Sequence, residues 1–309
     1  MMRFVTISIV ALLIVVSGCA TIPLGPPNGQ IAVIAHRGAS AAAPENTLQA
    51  FRLAHEMGAD WFELDCQLTS DGEVVILHDS SLERTTGEAS GVREHPLAFV
   101  KALDAGSWKG AAFAGERIPT LAESLDLAKN TIGVYVEIKN IQDDGPLMQQ
   151  ILSDMAGVPA VTPADEQKIM AAIEASGTRN LELTRKTIAL IRERNMEKEV
   201  VIQSFSPIIC AITKIEAPEI RIEGLAGVKV DDPATWEQVL RWLYLFDLDG
   251  MNISHDTMTA GRMATIKASG KTIAVWTIDD PETMQVAINL GADAIITNCP
   301  DRALTLLNR

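Results

Sequence analysis

Short β-branched runs alternate with stretches of helical periodicity along most of this chain, and that alternation narrows its fold more than any other feature. Residues 31–35 (IAVIA), 61–68 (WFELDCQL), 133–139 (GVYVEIK), 200–205 (VVIQSF), 219–226 (EIRIEGLA), 248–254 (LDGMNIS), 272–278 (TIAVWTI) and 294–297 (AIIT) read as strands. Strands separated by helices predict a parallel sheet with the helices outside it. Eight such units over residues 31–309 fit an α/β fold, one (β/α)₈ TIM barrel, for which ~250 residues is typical before insertions.

One element breaks the rhythm. Thr69-Ser70-Asp71-Gly72 is a turn signal, and residues 73–77 (EVVIL) are extended again at once. Parallel neighbours need a crossover of a dozen or more residues, whereas an Asp-Gly turn joins antiparallel ones. Residues 73–77 are therefore expected to fold back on the second strand as a hairpin arm and to return His78-Asp79 to the level of Glu63 and Asp65. Residues 80–119 read as a small insertion after the second strand, and residues 141–180 as loop with one or two extra helices. Pro44-Glu45-Asn46-Thr47 is expected to open a helix running to about Met57, where Gly58 is a natural stop.

The polar residues point to chemistry. In an extended Trp61-Phe62-Glu63-Leu64-Asp65-Cys66, Glu63 and Asp65 share one face while Phe62, Leu64 and Cys66 share the other. Two like charges in a half-buried place are costly unless a cation or a proton lies between them. The active site of a TIM barrel lies at the C-terminal ends of the strands. Those ends carry His36, Arg37, Glu63, Asp65, Glu137, Lys139, Gln203, Ser204, Trp276 and Asn298, with His78 on the returning arm. Three carboxylates without cysteine or paired-histidine ligands favour one divalent cation, Ca²⁺ or Mg²⁺, over Zn²⁺. Arg37 and Lys139 supply donors for a phosphate or another anion, and two histidines can act as base and acid on opposite sides of a reacting centre. Together these parts suit metal-assisted cleavage of a phosphodiester.

The N-terminus bears on location. Arg3 precedes an apolar run over residues 5–16, too short for a membrane span, which needs ~20 apolar residues. Val16-Ser17-Gly18-Cys19 resembles a bacterial lipobox, which implies a lipoprotein signal peptide over residues 1–18 and lipidation of Cys19. Residues 19–30, rich in Pro and Gly, read as a tether ahead of a barrel over 31–309. Ala20 resembles the residue found after the cysteine in lipoproteins passed on to the outer membrane. The expected location is the bacterial cell envelope, lipid-anchored to the outer membrane and facing the periplasm. A net charge of −14 argues against nucleic acid as a partner, and nothing in the sequence points to a protein partner. Cys66, Cys210 and Cys299 have apolar neighbours and no metal-ligand spacing, and read as buried free thiols.

A series of motifs then stands in order: His36-Arg37-Gly38, Pro44-Glu45-Asn46-Thr47, Glu63-Leu64-Asp65, Leu68-Thr69-Ser70-Asp71-Gly72, Leu77-His78-Asp79, Leu82-Glu83-Arg84-Thr85-Thr86, Glu137-Ile138-Lys139, Gln203-Ser204-Phe205 and Val275-Trp276-Thr277. The series resembles the glycerophosphodiester phosphodiesterase family, whose fold is a phospholipase-C-like barrel. The resemblance implies hydrolysis of a small-molecule glycerophosphodiester to sn-glycerol 3-phosphate and an alcohol. It further implies that His36 and His78 are the acid/base pair and that Glu63, Asp65 and Glu137 are the metal ligands. Arg37 and Lys139 match phosphate contacts, Glu45 a site carboxylate with an orienting role, and Trp276 the apolar wall for the glycerol. Two other readings predict different behaviour. A barrel of the same type acting on lysophospholipids or sphingomyelin would release lipid products or a cyclic phosphate, and a lipid-anchored solute-binding protein would have two hinged lobes and no turnover.

Overall fold

The structure, a computed structural model, describes residues 30–309; the expected signal peptide, Cys19 and all of the expected tether except Gln30 lie outside the described residues. Nine strands follow in chain order among the described residues: β1 (Ala32–Ala35), β2 (Trp61–Leu68), β3 (Val74–Ile76), β4 (Gly133–Ile138), β5 (Val200–Ser204), β6 (Arg221–Ala226), β7 (Gly250–Ser254), β8 (Thr272–Trp276) and β9 (Ala294–Thr297). All but β3 pair in parallel, in the order β1-β9-β8-β7-β6-β5-β4-β2, and a β1–β2 pairing closes the ring. The result is an eight-stranded parallel barrel wrapped in helices, the α/β TIM-barrel architecture. β3 runs antiparallel to β2, with Cys66 opposite Ile76 and Leu68 opposite Val74, so the turn at 69–72 makes a hairpin as its sequence predicts.

Both faces of the strands are buried, and their alternating side chains separate into two cores. Phe62, Leu64, Cys66 and Leu68 of β2 point outward into the large apolar layer beneath the helices. Ala32, Ile34, Trp61, Tyr135, Val201, Ala274, Ala294 and Ile296 form a separate cluster inside the barrel. The inward rows continue toward the C-terminal ends as Glu63, Asp65 and Gln67 on β2, Glu137 on β4 and Gln203 on β5. Register fixes who meets whom. Trp61 lies beside Gly133, Glu63 beside Tyr135 and Asp65 beside Glu137, so the apolar plug and the carboxylates are layers of one stack. A Cβ at Gly133 would come within 2.1 Å of the Trp61 ring, so glycine there makes room for the indole.

The segment after β1 differs from its predicted form. The helix begins at Leu48, not at Pro44, because Thr47 is its N-cap and accepts from the Ala50 amide. Arg37 and Asn46 adopt left-handed φ angles of 56° and 57°, which non-glycine residues rarely hold. Gly38, at φ 80°, packs so closely on the helix that a Cβ would come within 2.6 Å of the Ala50 backbone. This tight loop turns the His36-Arg37 pair back over the barrel mouth.

Residues 80–119 hold short helical turns whose Leu82, Val92, Val100, Ala105 and Ile118 pack with Val75 and Leu77 as a small satellite core. Between β4 and β5 lie the helices Gly145–Asp154, Pro163–Ser176 and Arg179–Glu193. Asn180 ties the first of these to the barrel top, since its Oδ1 accepts from the Ile141 amide and its Nδ2 donates to Asp144. Cys66, Cys210 and Cys299 are buried free thiols.

Candidate active site

The C-terminal ends of the strands enclose a cavity of about 150 Å³. His36, Arg37, Glu63, His78, Glu137 and Lys139 line one side of it, and Phe205, Leu225, Trp276 and Ile296 the other. Asp65 lies beneath, 1% exposed, bonded to residues of that wall. Of the predicted catalytic, metal and substrate residues, all but Asp65 and Glu45 line the cavity, and each of those two touches a residue that does. Glu45 stands behind Arg37, from which it accepts a hydrogen bond of 2.8 Å.

The acidic side is held by a web of cations and amides. The Glu63, Asp65 and Glu137 carboxylates offer oxygens all within 4.8 Å of one another. Lys139 Nζ lies 2.6 Å from Glu137 Oε1 and 3.3 Å from Asp65 Oδ1, while Arg37 Nε is 3.4 Å from Asp65 Oδ2. The Arg37 amide donates to Glu63 Oε2 at 2.9 Å, which explains the left-handed turn at Arg37: it aims a backbone donor down at the strand. Asn46 Nδ2 donates to Asp65 Oδ2 at 2.8 Å.

These contacts divide the carboxylates. Burial works against the Asp65 charge, but Lys139, Arg37, His78 and the Asn46 bond outweigh it and hold the carboxyl well below its usual range. Glu63 is driven far upward by burial and by the charges of Asp65 and Glu137. Glu137 is raised to about 7, chiefly by burial and by Asp65, with Lys139 opposing. Three buried carboxylates thus face two cationic side chains, and Glu63 Oε1 is buried with no partner. An orphaned carboxylate oxygen in a cluster of hard oxygen donors is what a divalent cation satisfies, so Glu63, Asp65 and Glu137 form a site that fits one.

The two histidines are held differently. His36 is half-buried, and its pKa is lowered to about 4 by desolvation and by the neighbouring Arg37, so the ring is neutral near pH 7. Its Nδ1 lies 2.8 Å from Asn298 Oδ1. His78 is a third exposed and pairs with a carboxylate, Nδ1 to Asp79 Oδ1 at 2.7 Å. Arg84 from the insertion then donates Nε to Asp79 at 2.6 Å and its two terminal nitrogens to Glu45 at 2.8 Å each. Gln67, one inward step beyond Asp65, donates to the carbonyls of Leu77, His78 and Asp79 at 3.2, 3.1 and 2.6 Å. The hairpin arm is thereby clamped where it delivers His78.

On the apolar side Trp276 meets Phe205 edge-on, with ring centroids 5.5 Å apart, and donates its Nε1 to the Asn252 carbonyl at 3.0 Å. Asn46, Gln67, Asp79, Arg84, Asn298 and Asp279 are supporting residues that side-chain chemistry alone does not assign. The signals for them were local: Asp79 follows His78 directly, and Gln67 continues the i, i+2 row of Glu63 and Asp65. Arg84 and Asp279 reach the site only through tertiary packing.

Comparison with known proteins agrees with this geometry. A model described as the glycerophosphoryl diester phosphodiesterase family matches residues 36–302. A glycerophosphodiester phosphodiesterase from Caldanaerobacter subterraneus subsp. tengcongensis is 33% identical over 278 residues, covering 90% of this chain and 98% of the relative. One from Bacillus subtilis is 26% identical over 281 residues, covering 88% and 85%. Among solved structures, an Oleispira antarctica phosphodiesterase in complex with the product sn-glycerol-3-phosphate superposes with a TM-score of 0.73 at 27% identity, over 91% of this chain and 98% of that one.

Proposed function

This chain belongs to the glycerophosphoryl diester phosphodiesterase family, and on that premise we propose that it hydrolyses glycerophosphodiesters to sn-glycerol 3-phosphate and an alcohol by acid/base catalysis between His36 and His78. The observation that carries the reading is one cavity in which two histidines, two carboxylates, an arginine and a lysine meet beside an apolar wall, with the Asp65 carboxylate directly beneath.

Glu63, Asp65 and Glu137 would hold a divalent cation, Ca²⁺ or Mg²⁺, which when bound polarises a phosphate oxygen and offsets the charge that develops on it. Arg37 and Lys139, anchored on Asp65 and Glu137, take phosphate oxygens. His36, neutral near pH 7, removes a proton from the attacking oxygen, either water or the glycerol 2-hydroxyl. His78, whose Nδ1 is held by the Asp79 carboxylate, protonates the departing alcohol. Glu45 orients Arg37 and Arg84 rather than touching the substrate, and Trp276 walls the glycerol. Purified protein given glycerophosphocholine with Ca²⁺ or Mg²⁺ is expected to release sn-glycerol 3-phosphate and choline in equal amounts. Release of phosphocholine and glycerol instead, or no turnover with either cation, would contradict the reading.

The same proposal extends to location. A lipid on Cys19 at the outer membrane, facing the periplasm, would reach the barrel through residues 20–30, which enter β1 at its N-terminal end. The mouth lies at the opposite end of the strands. Eleven residues extend at most ~40 Å, so the anchor would hold the mouth away from the bilayer, which favours water-soluble diesters over lysolipids still seated in it. Cys19→Ala is expected to move the protein from the membrane fraction to the soluble fraction with kcat on glycerophosphocholine unchanged. Retention of the variant in the membrane fraction would remove the anchor from this account.

A further inference from the structure

We propose that Asn298 and Asp279 are positioning residues that lock His36 in its Nδ1–H tautomer and leave the Nε2 lone pair turned to the cavity. They follow adjacent barrel strands. His36 comes directly after β1, Asn298 directly after β9, and Asp279 three residues after β8. β9 lies between β8 and β1, and Ala35 is in register with Thr297, so His36 and Asn298 leave the barrel at one level.

The hydrogen-bond chain has one consistent direction. Asp279 accepts only. Its Oδ2 lies 2.7 Å from Asn298 Nδ2, which forces the NH₂ group of the amide to that side. Asp279 cannot swing away, because its Oδ1 accepts from the Asn298 backbone N–H at 2.8 Å and from Thr297 Oγ1 at 3.0 Å. The amide oxygen therefore faces His36 Nδ1 at 2.8 Å, and two lone pairs cannot share that space, so Nδ1 carries the proton. Ser40 supports the same orientation, its hydroxyl proton lying between Asn298 Oδ1 (2.8 Å) and the His36 carbonyl (2.7 Å). The hydrogen bond made by one ring nitrogen decides the state of the other.

A neutral partner suits this ring. The groups that face it are Arg37, Asp65, His78 and the Asn298 amide. An amide oxygen orients the imidazole but supports its charged form less than a carboxylate in the same place would. The same Nδ1 position thus carries a neutral amide on His36 and a carboxylate on His78. That His36 acts as the base rests on the function proposed above; the tautomer does not.

The test is a long-range ¹H–¹⁵N correlation spectrum of the full chain labelled with ¹⁵N-histidine, recorded without substrate. Wild-type His36 is expected to show a protonated Nδ1 and a bare Nε2, and Asn298→Ala to return the ring toward the Nε2–H form that free imidazole prefers. The same variant is expected to lose about 10²-fold in kcat with KM little changed, the scale of a misplaced reacting group. Asn298→Asp combined with Asp279→Asn, which exchanges the carboxylate and the amide so that a donor still faces an acceptor, keeps an acceptor oxygen at His36 and covers the case in which the alanine variant does not fold. It should retain the Nδ1–H tautomer and move the acid limb of the kcat/KM profile to higher pH. A bare Nδ1 in the wild type, an unchanged tautomer in Asn298→Ala, or an unmoved acid limb in the exchanged double variant would overturn the assignment. An Nδ1–H signal in a protein that turns over no glycerophosphodiester would support the tautomer and overturn only the function.

Discussion

Alanine at His36 or at His78 is expected to lower kcat on glycerophosphocholine by about 10²–10⁴-fold, the usual worth of a general acid or base. The two losses should differ in kind. Choline is a poor leaving group that needs a proton as the P–O bond breaks, whereas a nitrophenolate does not. His78→Ala should therefore regain much of its rate on a glycerophospho-p-nitrophenyl ester, while His36→Ala, lacking the base for the attacking oxygen, should stay slow on both substrates. The desolvation of His36 and the Asp79 partner of His78 support that division, since one ring is kept neutral and the other has a carboxylate beside it. Rescue of His36→Ala by the activated ester, with none for His78→Ala, would exchange the roles. Near wild-type turnover in both variants would remove the histidines from the mechanism.

The second large effect concerns the cation. Exhaustive chelation is expected to abolish turnover, and Ca²⁺ or Mg²⁺ to restore it. Activity that survives chelation would refute the carboxylate site. Binding should also depend on pH in a stated direction. Ligands must be deprotonated to bind a cation, and Glu137 is raised to about 7 by burial and by Asp65. Affinity should therefore weaken as pH falls below about 7. Without the cation, the folded protein holds a proton on Glu137 that the unfolded chain, with an ordinary pKa near 4.3, has already lost. The folded state then binds more protons across this window, so the contribution of Glu137 to stability falls as pH rises toward 7. A bound cation replaces that proton. The rise in Tm on adding Ca²⁺ should thus be larger near pH 8 than near pH 5.5, and Glu137→Gln should lose both the rise and its pH dependence. An equal rise at both pH values would show that Glu137 binds no proton in the relevant range.

Much of this molecule is legible in its sequence because its signals are local. The strand–helix alternation needs only the period of the side chains, and the barrel follows from it. The turn at Thr69-Ser70-Asp71-Gly72 foretells the antiparallel arm because an Asp-Gly turn cannot span a parallel crossover. Glu63 and Asp65 share a face by the two-residue repeat of any strand. The misread stretch is Pro44-Glu45-Asn46-Thr47, which has the composition of a helix start and yet remains outside the helix. Asn46 is held in a left-handed turn by its bond to Asp65, a residue nineteen positions away, and local propensity does not contain that bond.

What the tertiary structure decided is how the functional groups are held. Closure of β1 onto β9 brings Asn298 to His36 across 262 positions of sequence, and packing of the insertion brings Arg84 to Glu45 across 39. Register sets Asp65 beside Glu137, and burial together with that juxtaposition gives the raised pKa that a cation would relieve. The sequence by itself determined which chemical groups are present and on which strand ends they stand, because backbone periodicity is a property of neighbours in the chain. The proton positions, the division of charge among the carboxylates and the direction of each supporting bond depend on distances between elements remote in sequence, and only the closed barrel sets those.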